Sequence, residues 1–227
     1  MGFNVAIDGP AGAGKSTVAK AVAAKMNFIY VDTGAMYRAI GLYFLMNGID
    51  TSDEQACAAE LDAIDVTIVY ENGAQQVYLN GENVSGKIRT QEVGEAASKT
   101  SAYQAVREKL LALQRDLAEK NDVLMDGRDI GTTILPHAEV KIYLTASSYV
   151  RAQRRFKELQ EKGEACVLEE IQKEIEERDY RDMHRDISPL RKADDAIEVD
   201  SSEMSIEEVT DAIIRIIEGR RHGSQVR

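Results

Sequence analysis

The stretch FNVAIDGPAGAGKST, residues 3–17, constrains the fold of this chain more than any other. A short apolar run, FNVAID, is followed by a loop that fits G-x-x-x-x-G-K-[ST], and the next residues, KSTVAKAVAAKM, have the composition of a helix. This strand, loop and helix context is the one that the motif requires. An ordinary glycine-rich turn would have to acquire both the context and the Lys-Ser pair by chance. We therefore predict a phosphate-binding loop.

The residue types in this loop suit phosphate chemistry. Gly9, Gly12 and Gly14 allow backbone angles that turn successive N–H groups inward at a helix N-terminus. Lys15 adds a full positive charge, and the hydroxyl of Ser16 is the expected contact of a Mg²⁺ ion that bridges the outer phosphates. The predicted nucleotide-binding residues are Gly9, Pro10, Ala11, Gly12, Ala13, Gly14, Lys15, Ser16 and Thr17, with Ser16 as the predicted metal ligand.

Composition excludes several other classes of protein. The 227 residues include 28 basic and 39 acidic ones, a formal charge of −11, which argues against a general nucleic-acid or membrane-surface binder. Cys57 and Cys166 lie far apart without metal-ligand spacing, and the three histidines form no cluster. The N-terminus lacks the pattern of a secretion signal. We expect a cytoplasmic monomer that binds neither nucleic acid nor a membrane.

Five β-like runs alternate with helix-like stretches along the chain: FNVAID, FIYVD, VLMD, EVKIYLTA and AIEVD. This alternation predicts an α/β fold, with a five-stranded parallel sheet flanked by helices. The predicted helices are Lys15–Met26, Gly34–Met46, Ala102–Lys120, Ser147–Gly163, Leu168–His184 and Ile206–Glu218. The tail GRRHGSQVR, residues 219–227, is expected to be frayed.

The sequence pattern changes between residues 62 and 90, where runs of alternating residues are separated by the pairs Asn72-Gly73 and Asn80-Gly81. This pattern predicts antiparallel hairpins, followed by a helix near residues 90–100. We expect one domain over residues 1–227. Its predicted parts are a core at about 1–61, 101–150 and 190–227, a small β insert at about 62–100, and a helical lid at about 151–189.

Arginines occur in separate patches that are unusual in so acidic a chain. Arg178, Asp182 and Arg185 in RDYRDMHR are spaced to share one helix face. An exposed ion-pair ladder is the alternative to ligand contact, but such pairs contribute only about 0.2 to 0.5 kcal/mol each. A switch GTPase is disfavoured because the base-reading sequence N-K-x-D is absent. A phosphate loop with clustered arginines indicates a second anion site.

Several stretches together resemble bacterial cytidylate kinases, which phosphorylate CMP and dCMP. These are IDGPAGAGKST, VDTGAMYRA, ASKTSAYQAVREKL, DGRDIGT, RAQRRFKELQEKG and ERDYRDMHRDISPL, in this order. The resemblance covers nearly the whole chain, and it implies MgATP as phosphoryl donor, an enlarged monophosphate-binding insert and a lid that contains RAQRR. The alternatives are another small-molecule kinase, for adenylate or a hydroxylated metabolite, and a non-catalytic nucleotide-binding regulatory module.

The resemblance also implies roles for single residues. Thr33 and Arg38 would face the CMP phosphate. Asp126 and Asp129 are interpreted as organisers of the magnesium waters or as ligand contacts, without a choice between the two. The implied CMP contacts are Thr33, Arg38, Ser98, Arg107, Arg128, Asp129, Arg178, Asp182 and Arg185, of which Ser98, Arg107 and Asp129 would face the cytosine. The implied catalytic residues are Lys15, Arg128, Arg154, Arg155 and Arg185.

Overall fold

The computed structural model describes residues 2–224. The strands are β1 (Asn4–Asp8), β2 (Ile29–Asp32), β3 (Val66–Glu71), β4 (Ala74–Leu79), β5 (Glu82–Asn83), β6 (Val123–Gly127), β7 (Val140–Thr145) and β8 (Ile197–Asp200). The helices are α1 (Lys15–Met26), α2 (Thr33–Met46), α3 (Glu54–Glu60), α4 (Gln91–Thr100), α5 (Gln104–Lys120), α6 (Ser148–Glu161), α7 (Leu168–His184) and α8 (Ile206–Ser224). A 3₁₀ turn covers Leu61–Ala63, and one π-helical turn covers Ile130–Ile134.

The main sheet has five strands in the order β2-β6-β1-β7-β8. Strand β1 is parallel to both β6 and β7, and β8 is parallel to β7. Residues 5–8 and 123–126 are buried, as expected for central strands with both faces covered. The predicted five-stranded parallel sheet is confirmed, with all five β-like runs in it. Its topology places the loops after β1 and β6 at one edge of the sheet.

A second, antiparallel sheet has the order β3-β4-β5. Asn72 and Gly73 join β3 to β4 with φ values of 51° and 76°, and Asn80 and Gly81 join β4 to β5 with 49° and 83°. Positive φ at both central residues is the signature of a type I′ hairpin turn. The hairpins predicted from the two Asn-Gly pairs are therefore confirmed.

The chain divides into two compact units. The first contains Tyr30–Asn121, and the second contains Phe3–Ile29 together with the chain from Asp122 onwards. The predicted insert at 62–100 belongs to the first unit, and the predicted lid at 151–189 belongs to the second. The domain boundaries stay a prediction, since compactness does not assign a function to either segment.

Helix packing in the first unit depends on a glycine in α2. A Cβ atom at Gly41 would lie 3.0 Å from the backbone nitrogen of Ala97, so α4 approaches the α2 backbone closely. Helix α3 was not predicted from the sequence. Its N-cap is Asp53, whose carboxylate accepts hydrogen bonds from the N–H groups of Gln55 and Ala56.

In the second unit, α1 packs against α8 and β6, while α6 packs against α7. Helix α8 continues to Ser224, so residues 219–224 are helical and the prediction of a frayed tail is wrong for them. Residues 225–227 of that tail lie outside the described residues. Within residues 2–224, no helix combines the length and the hydropathy of a membrane span.

Candidate active site

The predicted phosphate loop connects β1 to α1, with three glycines in the backbone conformations that the sequence requires. Gly9, Gly12 and Gly14 have φ values of 152°, 75° and 84°. A Cβ atom at Gly9 would lie 1.9 Å from the carbonyl oxygen of Leu144, so no side chain fits there. Gly14 is the N-cap of α1 and adopts the left-handed conformation. The loop therefore leads directly into a helix N-terminus, where main-chain N–H groups lack helical partners.

Lys15 is buried at the first position of α1, and its Nζ donates a hydrogen bond to the carbonyl oxygen of Pro10 at 2.8 Å. Burial lowers the pKa of Lys15 well below its usual value, and the charges of Arg128 and Arg178 lower it further, although Asp126 opposes them. A site that holds several cations in a dry environment binds anions favourably. A phosphate group here would favour the charged form of Lys15.

Ser16 and Asp126 form a pair that suits a magnesium ion. The Oγ of Ser16 donates a hydrogen bond to Oδ2 of Asp126 at 2.9 Å, and Asp126 is buried at the end of β6. A hydroxyl and a carboxylate are hard oxygen ligands, and Mg²⁺ is commonly held by one or two such groups plus substrate phosphates. Within residues 2–224, no cluster of three or more His, Cys, Asp or Glu side chains could hold a metal alone. The pair therefore fits an ion that arrives with a nucleotide.

Two ion pairs join the DGRDIGT segment to the end of α7. Nε of Arg128 donates to Oδ2 of Asp182 at 2.9 Å, and Nη2 of Arg185 lies 3.4 Å from Oδ1 of Asp129. Burial favours the neutral form of Asp182, but the three arginines around it outweigh burial and lower the pKa of this carboxyl. Asp182 is only 5% exposed, so the exposed ion-pair ladder considered from the sequence is excluded for this residue.

Arg185 does not share a helix face with Arg178 and Asp182, so that prediction is wrong. Helix α7 ends at His184, and Arg185 is its C-cap with an extended backbone, φ −67° and ψ 143°. Its Nε donates to the carbonyl oxygen of Ser188 at 2.8 Å. The charges of Arg128 and Arg178 nevertheless affect the pKa of both Lys15 and Asp182. These four side chains therefore lie close together in the second unit.

The arginines of the RAQRR patch, all on α6, have different environments. Arg151 is buried. Arg154 donates through Nη2 to the carbonyl oxygen of Ser201 at 2.6 Å, and Arg155 pairs with Glu158 at 3.2 Å with 41% of its side chain exposed. The catalytic roles of Arg154 and Arg155 stay predictions.

Asp8 is a buried carboxylate beside this site, and its role was not predicted from the sequence. Its Oδ1 accepts a hydrogen bond from the N–H of Ile130 at 2.8 Å, and its Oδ2 accepts one from Gly131 at 2.7 Å. These residues begin the π-helical turn that follows Arg128 and Asp129. A polar residue at the end of an apolar strand was the signal available in the sequence. Its partners are more than 120 residues away, so the contact could not be foreseen.

We expect the titration of the Asp8 carboxyl to make the free energy of unfolding depend on pH. Burial, aided by the charge of Asp129, raises the pKa of Asp8 from 3.8 to about 7 although the two N–H bonds oppose this shift. Between these values the folded state binds more protons than the unfolded state. The free energy of unfolding therefore falls as pH rises through this window, by at most about 1.4 kcal/mol per pH unit from this group.

Urea unfolding of the wild type and of Asp8→Asn at pH 5 and pH 8 measures this contribution. We expect the stability of the wild type relative to Asp8→Asn to be greater at pH 5 than at pH 8. The variant provides the control, because every other titrating group is common to both proteins. A difference that is the same at both pH values would contradict a raised pKa.

In the first unit, the start of α2 carries the predicted phosphate contacts. Asp32 is the N-cap, and its carboxylate accepts from the N–H of Ala35 at 2.9 Å. This capping contact gives Asp32 a structural role. Thr33 is buried in the first turn, and Nη1 of Arg38 would lie 3.3 Å from a Cβ atom at Gly34. The guanidinium of Arg38 therefore folds back over the helix N-terminus, an arrangement that favours an anion.

The predicted base contacts of the first unit are Ser98, near the end of α4, and Arg107, on α5. Arg107 is 8% exposed, donates through Nη1 to the carbonyl oxygen of Ser101 at 3.2 Å, and lies with its guanidinium carbon 5.8 Å from the ring centre of Tyr37. The hydroxyl of Ser101 in turn donates to the carbonyl oxygen of Ser98. These contacts fix the position of the Arg107 guanidinium. The contact between Tyr37 and the Arg107 guanidinium was not predicted from the sequence.

Comparison with known proteins identifies the family of this chain. The profile described as cytidylate kinase matches residues 5–219. The chain belongs to the cytidylate kinase family. It is 54% identical to a cytidylate kinase of Lactobacillus johnsonii over 219 residues, which cover 96% of this chain and 95% of the relative. A cytidylate kinase of Bacillus subtilis is 47% identical over 216 residues, covering 95% and 96% of the two chains.

Solved structures confirm the fold. An uncharacterised protein from Eubacterium ventriosum superposes with a TM-score of 0.53 at 14% identity, covering 95% of this chain and 98% of that one. A gluconokinase from Sinorhizobium meliloti gives 0.50 at 14% identity, covering 99% of both chains. At 14% identity, these similarities support the fold of the chain and not its function.

Proposed function

We propose that this protein transfers the γ-phosphoryl group of ATP to CMP or dCMP, giving ADP with CDP or dCDP, and that the reaction is reversible. The observation that carries the proposal is the pairing of the Ser16 hydroxyl with Asp126 beside buried Lys15, at the end of a glycine loop. Membership of the cytidylate kinase family supports CMP as the acceptor. The predicted cytoplasmic location and monomeric state accompany the proposal.

Residues 9–17 are the proposed ATP site. The main-chain N–H groups of the loop and of the first turn of α1 would receive the phosphates, and Lys15 would neutralise the transferring group. A magnesium ion, when bound, would supply positive charge that withdraws electron density from the phosphates. Ser16 would hold it directly, and Asp126 would bind it or orient its waters.

The acceptor contacts that we propose are those implied by the resemblance to cytidylate kinases. They are Thr33 and Arg38 for the phosphate and Ser98 and Arg107 for the base. The remaining proposed contacts of CMP are Arg128, Asp129, Arg178, Asp182 and Arg185. The acceptor is a phosphate monoester whose second pKa is about 6, so its oxygen is largely ionised at neutral pH and requires no general base. Catalysis then consists of aligning two phosphates and neutralising the charge between them.

Release of ADP from MgATP in the presence of CMP, dCMP, UMP or AMP tests the proposal. We expect release with CMP and dCMP far above the rate without acceptor. Release with AMP or with a hydroxylated metabolite alone would assign the chain to another kinase reaction. A regulatory module would bind nucleotide without any acceptor-dependent release, and that result would overturn the proposal.

Lys15→Met is expected to lower kcat by about 10²- to 10³-fold, because it removes a preorganised positive charge from the transferring phosphoryl group. Affinity for CMP measured by titration should change little. Lys20→Met, an exposed lysine on the same helix, is the control for loss of one charge. A kcat for Lys15→Met within twofold of the control would contradict the proposed role.

Arg38→Ala is expected to weaken CMP binding by about ten- to a hundredfold, the loss typical of a charge-assisted hydrogen bond. Binding of MgATP should be unchanged. Titration calorimetry with each nucleotide alone separates the two effects, and Arg89→Ala removes an exposed arginine of the same unit as a control. Unchanged CMP affinity would place the acceptor phosphate elsewhere.

A further inference from the structure

A phosphate loop that turns its N–H groups toward the ligand has carbonyl oxygens that need other donors. Two carbonyl oxygens of this loop have side-chain donors. The oxygen of Pro10 accepts from Nζ of Lys15, and the oxygen of Ala11 accepts from Nη1 of Arg151 at 2.9 Å. Arg151 lies 140 residues away in sequence, on the first turn of α6, and is 5% exposed.

The same guanidinium makes two further contacts. Its Nε donates to the carbonyl oxygen of Ala146, just after β7, at 2.9 Å. Its Nη1 also lies 2.7 Å from Oδ2 of Asp179, a buried carboxylate on α7. One buried cation therefore joins the phosphate loop to the end of a central strand and to the helix that carries Arg178 and Asp182.

Gly12 gives independent support for a contact between Arg151 and the loop. The motif G-x-x-x-x-G-K-[ST] does not require glycine at this position. A Cβ atom at Gly12 would lie 3.3 Å from Cβ, 3.8 Å from Cγ and 3.9 Å from Cδ of Arg151, and the φ of Gly12 is 75°. The stem of Arg151 thus packs on the loop backbone at a position where both space and conformation favour glycine.

We propose that Arg151 is a positioning residue, which holds the phosphate loop in the conformation that presents its amides to the ATP phosphates by binding the carbonyl of Ala11. The guanidinium does not contact the nucleotide in this role. It is the member of the RAQRR patch that acts on the loop, while Arg154 and Arg155 keep their predicted lid function. The inference rests on the proposed function in that it takes ATP as the ligand of the loop.

Titration calorimetry of the full chain with MgATP tests the proposal, and CMP titration provides the internal comparison. Arg151→Lys keeps the charge but loses the fork that reaches three oxygens at once. We expect its Kd for MgATP to rise by about ten- to a hundredfold, with the Kd for CMP within about twofold of the wild type. Lys157→Met, an exposed position on the same helix, should leave both constants unchanged.

A purely structural ion pair would give a different result. It would lower the melting temperature of Arg151→Lys without changing the Kd for MgATP, and this outcome would overturn the proposal. Oδ1 of Asp179 is buried without a hydrogen-bond partner among residues 2–224, so removal of Arg151 alone leaves a buried charge and endangers folding.

Arg151→Met/Asp179→Asn removes both charges and therefore provides a second test. It too is expected to raise the Kd for MgATP, because the Ala11 carbonyl has lost its donor. A folded double variant that binds MgATP as the wild type does would overturn the proposal. If the wild type binds MgATP but shows no CMP-dependent ADP release, the proposed function fails, while the MgATP titrations still decide the role of Arg151.

Discussion

UMP is expected to be phosphorylated with a kcat/KM about 10⁴-fold below that of CMP, since a site built to hydrogen-bond one base leaves polar groups unpaired with the other. Cytosine offers an amino donor at N4 and acceptors at N3 and O2. In the proposed assignment, Ser98 and Asp129 accept from N4 and Arg107 donates to the acceptors. Uracil has a hydrogen-bond donor at N3 and an acceptor at position 4, the reverse of cytosine. Steady-state ADP release with each nucleotide measures the ratio, and similar kcat/KM values would overturn the base assignment.

Ser98 variants sharpen this prediction. Ser98→Ala removes one proposed acceptor for the N4 amino group and should reduce the preference for CMP over UMP by about tenfold, the usual value of one hydrogen bond at a closed site. Ser98→Thr retains the hydroxyl and should retain the preference. The guanidinium of Arg107 remains fixed by Ser101 and Tyr37 in both variants. A preference that is the same in all three proteins would remove Ser98 from the base site.

Much of the fold could be predicted because its signals are local. The bounds of α1 and α7, Lys15–Met26 and Leu168–His184, agree with the prediction. Each Asn-Gly pair, at residues 72–73 and 80–81, determined a hairpin because few other residues adopt two consecutive positive φ values. The five strands of the main sheet were recognisable as short apolar runs between helices. These elements depend on their own residues more than on their neighbours.

Two features of the helices were not foreseen from the sequence. Arg185 has the spacing of the α7 face, but its backbone is extended because the chain has left the helix. Its side chain binds the carbonyl oxygen of Ser188, which has a φ of 49° and precedes Pro189. A proline four residues on was a signal that the helix would end. Helix α3 is only seven residues long, and its capping by Asp53 outweighs a weak hydrophobic pattern.

The site shows the same division between local and distant determinants. The loop motif indicated Lys15 and Ser16 directly, since their chemistry follows from position in a known backbone turn. Nothing local indicated that Asp8 binds the backbone of residues 130 and 131, or that Arg151 binds Ala11. Buried polar groups need partners, but the sequence does not say which distant segment supplies them. Such contacts are defined only by the folded structure.

Arg154→Ala and Arg155→Ala are each expected to lower kcat by about 10³-fold or more while weakening CMP binding little, because an arginine that acts only in the transition state contributes about 10³ to 10⁵ in rate. Pre-steady-state and steady-state ADP release give kcat, and CMP titration gives the Kd. Lys157→Ala on the same helix controls for loss of an exposed charge.

Arg154 and Arg155 differ in the contacts that each would have to break if the predicted lid closed over ATP. Arg155 is bound only to Glu158 among the contacts described for its side chain, at an exposed surface where an ion pair is worth about 1 kcal/mol or less. Arg154 would have to leave the hydroxyl and the carbonyl of Ser201, to which it donates at 3.3 Å and 2.6 Å. Release of two hydrogen bonds makes Arg154 the less mobile group, so we expect Arg155→Ala to have the larger effect on kcat. Normal turnover by both variants would exclude a catalytic lid, and a defect confined to Arg154→Ala would point to its anchoring at Ser201 as the functional contact.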